Sequence, residues 1–386
     1  RRNLISDAPL GMTLSGGVDT STLLVLAKHV GAKELHTFSV RMMEPSFDEY
    51  KYQKIITDFA KPVHHQVDIG PRDIEKYLYE HLAYLDEPSG DGACIPFYVL
   101  AAEAKNHVSV LMSGEGGDEV FNAYETYRAY KARKLYRRFV PAPARNLVRK
   151  AIGALPSSYS KLSFDFVAKR FTEGSELGVP CSHLYWRHVL RDHEQRQLMP
   201  SLKLLSPTDA LFSDMFHKLD YDDDLNRISH LDFRYYLIGD LLLKNDRMIM
   251  AHSIEARFPY LDRRLVEFAC RLPVKWKLKG FSGRYIQKLA VQDLLPPGIF
   301  RRKNMGLELP HSIWFLNELR PLAESFFTKA RVEKTGLLDY AYVHKLWQDH
   351  LDGRRDYGRA LWCILVFLAW HEMYVEKKNY SSYLHS

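Results

Sequence analysis

The chain has 386 residues, a formal net charge of +7 and 46% hydrophobic residues, which is ordinary for a globular protein and excludes disordered or collagen-like classes. Its longest clean apolar run, at 360–370, is too short to cross a bilayer, which takes about 20 residues. The four cysteines are scattered, without the paired spacing that is typical of a zinc site. We therefore expect a cytoplasmic protein with no membrane partner.

In the first third of the chain, strand patterns alternate with helix patterns. Short apolar or β-branched segments predict strands at 12–14, 35–40, 63–67 and 108–112. Helical spacing predicts helices at 23–30, 47–60, 73–85 and 96–104. This alternation predicts an α/β fold, a parallel twisted sheet with helices on both faces. Ligands of such sheets bind at the carboxyl ends of the strands.

Beyond about residue 125 the strand signal fades and helical patterns follow, interrupted by prolines. We predict an α/β core at 1–130, followed by a largely helical part at 131–386 that completes the same domain. Nine Lys and Arg residues lie between 128 and 150. Such a run binds nucleic acid or acidic lipid in some proteins. We interpret it instead as the solvated face of a helix whose Tyr127, Tyr130, Leu135 and Tyr136 pack inward.

The first strand is followed by a loop of small residues that opens a helix, Ser15-Gly16-Gly17-Val18-Asp19-Thr20-Ser21. Its two glycines can take positive φ and let the backbone approach a ligand. The helix directs its unpaired N–H groups and positive dipole end into the loop, while Thr20 and Ser21 add hydroxyl donors. The loop therefore predicts a phosphate site, although it lacks the lysine that ends a Walker A motif.

A second loop, Ser113-Gly114-Glu115-Gly116-Gly117-Asp118-Glu119, follows the predicted strand that ends at Met112. Two glycine-containing loops after strands of one parallel sheet can face each other across a crevice. Asp19 and Asp118 would then supply the hard oxygen ligands that suit Mg²⁺. We therefore predict a magnesium–phosphate site between the two loops.

The first loop resembles the Ser-Gly-Gly-x-Asp-Ser loop of the PP-loop ATP pyrophosphatases, an adenine-nucleotide α-hydrolase-like fold, with Thr20 where that family usually has serine. The order of the motifs resembles the asparagine synthetases more specifically. The further motifs that carry this resemblance are Asp86-Glu87-Pro88, Asp246-Arg247-Met248, a long helical signature at 251–257, Pro259-Tyr260-Leu261-Asp262 and Arg301-Arg302-Lys303. The resemblance covers nearly the whole chain and is weakest at about 138–225.

The resemblance implies ATP and Mg²⁺ as cofactors and a role for each matching residue. Leu14 and Val40 would contact the adenosine, and Ser113 and Gly114 would complete that site. Ser15, Gly16, Gly17, Asp19, Thr20 and Ser21 would hold the departing pyrophosphate, with Mg²⁺ on Asp19 and Asp118. Glu115 would be the general base, and Arg247 and Lys303 would neutralise phosphate charge. The implied reaction adenylates aspartate to β-aspartyl-AMP, and ammonia then gives asparagine and AMP.

Glutamine-dependent members of that family begin with a glutaminase domain, and nothing of that kind precedes Arg1. We expect a glutaminase domain or subunit as a missing partner, free ammonia as the amine source, and a second copy of the chain as a candidate homodimer partner. One alternative keeps the chemistry but uses another carboxylate, as in lactam-forming or amidotransferase tailoring enzymes. Another is a tRNA-modifying PP-loop ligase that grips RNA through 128–150. A silent scaffold is disfavoured by the intact Asp19, Glu115 and Asp118.

Overall fold

The computed structural model describes residues 1–32, 34–202, 207–302 and 305–377. These residues form two compact units that are interleaved along the chain. The first unit comprises 1–73, 91–125 and 229–309, and the second comprises 74–90, 126–228 and 310–386. The sequence prediction instead placed one boundary at residue 130, and that domain assignment stays a prediction.

Strands and helices alternate up to residue 120, as the sequence predicted. The elements of this part are β1 (Leu10–Thr13), α1 (Val18–His29), β2 (His36–Met42), α2 (Tyr50–Ala60), β3 (Val63–Ile69), α3 (Pro71–Ala83), α4 (Cys94–Ala104), β4 (Val110–Met112) and α5 (Gly117–Val120). All four predicted strands are present. The predicted helix at 47–60 begins later than expected, at Tyr50, because Glu44 to Phe47 form a turn and the next two residues are irregular.

Among the described residues after 120, the regular elements are helices and one short strand. Its elements are α6 (Glu125–Phe139), α7 (Ala142–Gly153), α8 (Phe164–Gly174), α9 (Val179–Arg187), α10 (Asp192–Leu198), α11 (Thr208–Lys218), α12 (Asp224–Leu231), a π-helix (Asp232–Leu242), α13 (Leu243–Met250), β5 (Glu255–Arg257), α14 (Arg263–Arg271), α15 (Val274–Lys277), α16 (Tyr285–Val291), α17 (Pro297–Phe300), α18 (His311–Trp314), α19 (Arg320–Phe326), α20 (Lys329–Lys334), α21 (Tyr340–Leu351) and α22 (Gly358–Tyr374). Two 3₁₀-helices cover Arg2–Leu4 and Pro259–Leu261. No helix of the described segments is both long enough and apolar enough to cross a bilayer.

The first unit is built on a five-stranded parallel sheet with the order β3-β2-β1-β4-β5. Met12 of β1 and Met112 of β4 pack with Leu24 of α1 and Ile56 of α2 in one apolar cluster. Successive side chains of a strand point to opposite faces, and Leu111, next to Met112, is also fully buried. Both faces of the sheet are therefore covered, which confirms the predicted α/β class.

The edge strand β5 was not predicted. Residues 251–257 were expected in a helical signature, but α13 ends at Met250, and Glu255, Ala256 and Arg257 extend beside β4. The Glu255 N–H donates to the Ser109 carbonyl at 3.0 Å. The free edge of β4 presents backbone groups that need partners, and a helix at this position would leave them unpaired. Tertiary pairing therefore overrides the local helical pattern.

The basic segment at 128–150 belongs to the second unit and forms most of α6 and most of α7. Tyr127 is fully buried, as predicted, and its ring stacks on that of His183. The inward placement of Leu135 is wrong, since 46% of this residue is exposed. Arg133 is buried and donates to the Leu177 carbonyl, and Arg145 pairs with Glu176 at 2.8 Å. Part of the positive charge is thus used within the fold rather than presented to solvent.

Candidate active site

The loops that follow β1 and β4 lie side by side in the first unit, because these strands are neighbours in the sheet. The chain runs from β1 to one side of the sheet through β2 and β3, and then returns to the other side of β1 as β4. This change of direction at β1 is a topological switch point, and α/β sheets bind their ligands in the crevice at the carboxyl ends of the strands there. A Cβ added to Gly117 would lie 2.7 Å from Cγ of Asp19, so only glycine admits this close approach.

The first loop turns sharply at Gly16, which has φ +70°. A Cβ on Gly16 would lie 2.5 Å from the backbone carbon of Tyr52, so a side chain there is excluded by conformation and by space. Gly17 was also considered for positive φ, but it is extended at φ −78° and is the N-cap of α1. The loop therefore leads into the N-terminus of α1, where the unpaired backbone N–H groups of the first turn point away from the helix.

The hydroxyl groups of the first loop bond to the loop itself. The Ser15 N–H donates to Oγ1 of Thr20 at 3.2 Å, and the Gly17 N–H donates to Oγ of Ser15 at 3.3 Å. Thr20 thus keeps the hydroxyl function expected of a serine at this position. Ser21 is fully buried, and its Oγ makes no hydrogen bond within the described residues. All of these residues lie at the predicted loop, and their contact with phosphate stays a prediction.

The residues predicted for the adenosine site lie near the carboxyl ends of strands: Leu14 and Ser113 follow β1 and β4, whereas Val40 lies within β2, two residues before its end. The Leu14 N–H donates to the Phe38 carbonyl at 2.8 Å, and the Val40 carbonyl accepts from Nε2 of Gln53 at 2.8 Å. Ser113 is buried after β4, and Gly114 packs against Thr20 of the first loop. The structure thus brings these positions to one edge of the sheet, while their role in nucleotide binding stays a prediction.

Asp19 and Asp118 meet at one arginine that the sequence analysis missed. Nε of Arg284 lies 3.0 Å from both carboxylate oxygens of Asp19, and its Nη2 reaches Oδ2 of Asp19 at 2.5 Å and Oδ1 of Asp118. Burial acts to lower the pKa of Arg284, but the charges of Asp118 and Asp19 outweigh it and raise the pKa. The guanidinium is therefore a permanent cation between the two predicted metal ligands.

Arg284 is held in an unusual backbone conformation. It has φ +55° at the N-cap of α16, which is uncommon for a residue with a side chain. Its N–H donates to the Phe121 carbonyl at 3.0 Å. Gln287, one turn later, donates to Oδ1 of Asp19 at 3.0 Å and to the hydroxyl of Tyr260 at 2.9 Å. Arg284 is 265 residues from Asp19 in sequence, and no local pattern marks the pairing.

The three acids of the second loop have three different environments. Asp118 pairs with Arg284, whereas Glu119 is buried and accepts a hydrogen bond from the Tyr124 hydroxyl at 2.6 Å. Burial and the charge of Asp118 raise the pKa of Glu119 to about 8. Glu115 is half-buried, and Nδ2 of Asn245 lies 3.4 Å from its Oε1. Of these three acids, Glu115 alone is partly exposed and makes no ion pair with an arginine in the part of the chain that the structure describes.

A buried lysine lies behind Glu115, and it was also missed from sequence. Nζ of Lys244 pairs with Oδ2 of Asp91 at 2.5 Å, and Asp240 lies on the π-helix one turn before Lys244. Burial acts to lower the pKa of Lys244, but Asp91, Glu115 and Asp240 together raise it. Burial raises the pKa of Glu115, and the opposing influence of Lys244 is the next largest. The positive charge of Lys244 thus limits how far burial raises the pKa of Glu115.

Two cations were predicted near the phosphates. Arg247 is half-buried on α13, the helix that also carries Lys244 and Asn245, and its role stays a prediction. Lys303 lies outside the described residues. Its neighbour Arg302 was quoted only as part of a motif, yet its side chain lies against Gly17, with Nη1 2.8 Å from where a Cβ would stand. The Arg302 guanidinium is paired with buried Glu49.

Glu255 and Arg257 belong to the motif at 251–257, in which they could form a buried ion pair or contact substrate. They form an ion pair at 2.7 Å, but the Glu255 side chain is 58% exposed, so the pair is not buried. Arg257 also donates to the carbonyls of Asn3 and Ile5. His252 packs against the ring of Tyr98, as expected of a packing residue.

Mg²⁺ is the cation that the resemblance implies for Asp19 and Asp118. Both carboxylates converge on a single nitrogen of Arg284, and oxygen ligands of this kind suit a hard divalent cation. The donor set therefore fits Mg²⁺, provided that the guanidinium gives way or shares the carboxylates.

The family described as asparagine synthase matches residues 1–372. The glutamine-hydrolysing asparagine synthetase 1 of Bacillus subtilis is 29% identical over 387 residues, which cover 97% of this chain and 57% of that protein. The asparagine synthetase 3 of the same organism is 24% identical over 325 residues, covering 80% of this chain and 46% of that protein. The amidase chry2 of Gibberella zeae is 23% identical over 391 residues, covering 92% and 56%.

The chain thus spans about half the length of these relatives. The family match, in contrast, runs over nearly all of its residues. The chain therefore belongs to the asparagine synthase family.

Proposed function

We propose that this chain forms amides at the expense of ATP. It transfers AMP from ATP to the side-chain carboxylate of aspartate with release of pyrophosphate, and ammonia then attacks β-aspartyl-AMP to give asparagine and AMP. The observation that supports this most is that two glycine-containing loops lie side by side at the ends of β1 and β4, with Glu115 in the second of them. The choice of aspartate rests on the names of the relatives.

Adenylation is needed because ammonia does not displace oxide from a carboxylate at neutral pH. With AMP attached, the leaving group becomes a stable phosphate monoester. The first step places negative charge on the departing pyrophosphate, and fixed donors and cations stabilise such charge. The N–H groups at the start of α1 and the guanidinium of Arg302 beside Gly17 lie where they can bind it.

Bound to Asp19 and Asp118, Mg²⁺ would neutralise part of the polyphosphate charge. The chain's own contribution is to hold these two carboxylates in place. Arg284 and Gln287 fix Asp19 from α16, and the Tyr260 hydroxyl donates to the Asp19 carbonyl at 3.0 Å. Preorganisation of this kind means that little reorganisation is needed when charge develops in the reaction.

Glu115 is the proposed base for the second step, in which the attacking ammonia must lose a proton. A base works best when its pKa lies near the working pH, and burial raises the pKa of Glu115 toward that range. The positive charge of Lys244 opposes full neutralisation of the carboxyl group. The network of Lys244, Asp91 and Asp240 therefore tunes Glu115 without itself touching the reacting atoms.

The products of ATP test the reaction type. The chain is incubated with ATP, Mg²⁺, ammonium and a panel of carboxylates that includes aspartate, glutamate and β-amino acids, and in parallel with glutamine in place of ammonium. We expect AMP and pyrophosphate to form in step with asparagine when aspartate and ammonium are present. Formation of ADP and phosphate would contradict adenylation, and amide from another carboxylate alone would replace aspartate as the acceptor.

Two substitutions should separate the half-reactions. Asp19→Asn is expected to abolish pyrophosphate release, because it removes a carboxylate from the phosphate loop. Glu115→Gln should lower amide formation by roughly 10²- to 10⁴-fold, the usual contribution of a general base, while sparing adenylation. Pyrophosphate release and asparagine are measured in the same reactions, with exposed Glu267→Gln as a control. Equal loss of both half-reactions in Glu115→Gln would contradict its role as the base.

Removal of the buried guanidinium should make stability depend on the metal. Arg284→Met leaves Asp19 and Asp118 without their cation, and unpaired buried charge of this kind costs about 3–5 kcal/mol. We expect a lower unfolding temperature that Mg²⁺ partly restores. The exposed pair of Arg263 with Glu267 offers a matched control, Arg263→Met, which should show neither effect. An unfolding temperature of Arg284→Met that is insensitive to Mg²⁺ would contradict the metal assignment.

Asp240 should make stability depend on pH. Burial, followed by the charge of Asp91, raises its pKa from 3.8 to about 7. The native state then binds a proton more tightly than the unfolded chain, so this group's contribution to stability falls as the pH rises through that range. Asp240→Asn removes this dependence. We expect the stability of the variant relative to the natural chain to increase from acidic to neutral pH, as measured by urea unfolding, and a constant difference would refute the assignment.

A further inference from the structure

Three histidines cluster near the amino ends of the strands, at the end of the sheet opposite to the proposed active site. His36 is the first residue of β2, His65 is the third residue of β3, and His107 lies in the segment that leads into β4. The active-site loops follow the carboxyl ends of the strands, whereas these residues lie toward the amino ends. The cluster plays no part in the proposed amide synthesis.

One ring nitrogen from each histidine lies within 4.8 Å of the others. Nδ1 of His36 is already 2.9 Å from Nε2 of His65, and the centroids of the His65 and His107 rings are 3.9 Å apart. Three nitrogens bound to one Zn²⁺ at 2.0–2.1 Å would stand about 3.4 Å from one another. The three rings are stacked on one another, so they must turn out of the stack to direct one nitrogen each at a common ion, and a metal would replace the existing His36–His65 hydrogen bond.

A carboxylate accompanies the three rings. Oε1 of Glu103, on α4, lies 3.3 Å from Nε2 of His107 and 4.0 Å from Nδ1 of His65. Metal-bound histidines commonly donate their second ring N–H to such a carboxylate, which orients the ring and makes it a better ligand. All three histidines are half-buried, so the site is reachable from solvent and yet partly shielded from it.

The residues come from separate elements, and nothing in the local sequence groups them. His64 and His65 are adjacent, and their alternation across the strand makes joint binding poor geometry. The structure agrees, because Nδ1 of His64 is 2.9 Å from the Thr37 hydroxyl and takes no part in the cluster. The register of β2 with β3, which pairs Phe38 with His65, places His65 near His36 instead.

We propose that His36, His65 and His107 form a binding site for a divalent transition metal of the Zn²⁺ class. Imidazole nitrogen suits Zn²⁺, Cu²⁺ and Ni²⁺, whereas Mg²⁺ prefers oxygen ligands, so the site is distinct in chemistry from Asp19 and Asp118. The metal would tie the starts of β2 and β3 to the segment before β4. Its role is structural, since no loop of the proposed active site contributes a ligand.

Zinc binding to the untagged, chelator-treated chain tests the proposal. We expect isothermal titration with Zn²⁺ to show one tight site per chain, and the unfolding temperature to rise with Zn²⁺ but not with Mg²⁺. Binding of Co²⁺ should produce the intense visible absorption of a low-symmetry site with nitrogen ligands. A chain that binds no stoichiometric Zn²⁺ at micromolar concentration would refute the site.

Substitutions locate the metal. His65→Ala and His107→Gln should each weaken Zn²⁺ binding by at least tenfold and abolish the stabilisation, whereas His64→Ala, one residue away on the same strand, should retain both. His107→Gln lies outside the strands and gives the answer even if His65→Ala fails to fold. Unchanged affinity in His107→Gln, or equal loss in His64→Ala, would show that zinc binds elsewhere.

Discussion

The geometry of the proposed active site depends on one buried guanidinium. Arg284 donates to Asp19 in the loop after β1 and to Asp118 in the loop after β4, so two acidic loops that would otherwise repel are joined by a single cation. Its own position is fixed by the backbone bond to Phe121 and by the left-handed conformation at the start of α16. A residue that is 265 positions from Asp19 in the sequence thus determines where the carboxylate of the first loop lies.

Charge at the site is divided between two networks with different tasks. Asp19, Arg284 and Asp118 form a cationic and anionic cluster suited to polyphosphate and metal. Glu115, Lys244, Asp91 and Asp240 form a second cluster in which burial and charge compete over one carboxyl group. In the proposed reaction, separation of the two networks would let Glu115 act as the base while Asp118, three residues away, is paired with a cation.

The relatives have different names, asparagine synthetase and amidase, although each aligns with most of this chain. Such variety is expected when the nucleotide loops belong to the sheet and the acceptor is bound by other segments. Gly16 and Gly117 illustrate the first part, because Gly16 packs against the start of α2 and Gly117 packs against Asp19 of the first loop, so both are required by the sheet and its helices. The loops therefore do not identify the carboxylate acceptor, whereas assays with a panel of carboxylates do.

The sequence by itself determined the α/β class, the four strands up to Met112 and the two glycine-containing loops, because hydrophobic period and glycine position are local signals. It also placed Glu115, Asp19 and Asp118 in those loops through the resemblance to a family. Only the tertiary structure decided that β5 joins the sheet, that Arg284 and Lys244 supply the charges facing those acids, and that His36, His65 and His107 meet. Each of these features depends on contact between segments that are far apart in the sequence. Such contacts form because the folded chain must pair the backbone groups of its outer strands and its buried charges, and they produce no periodic pattern in the sequence.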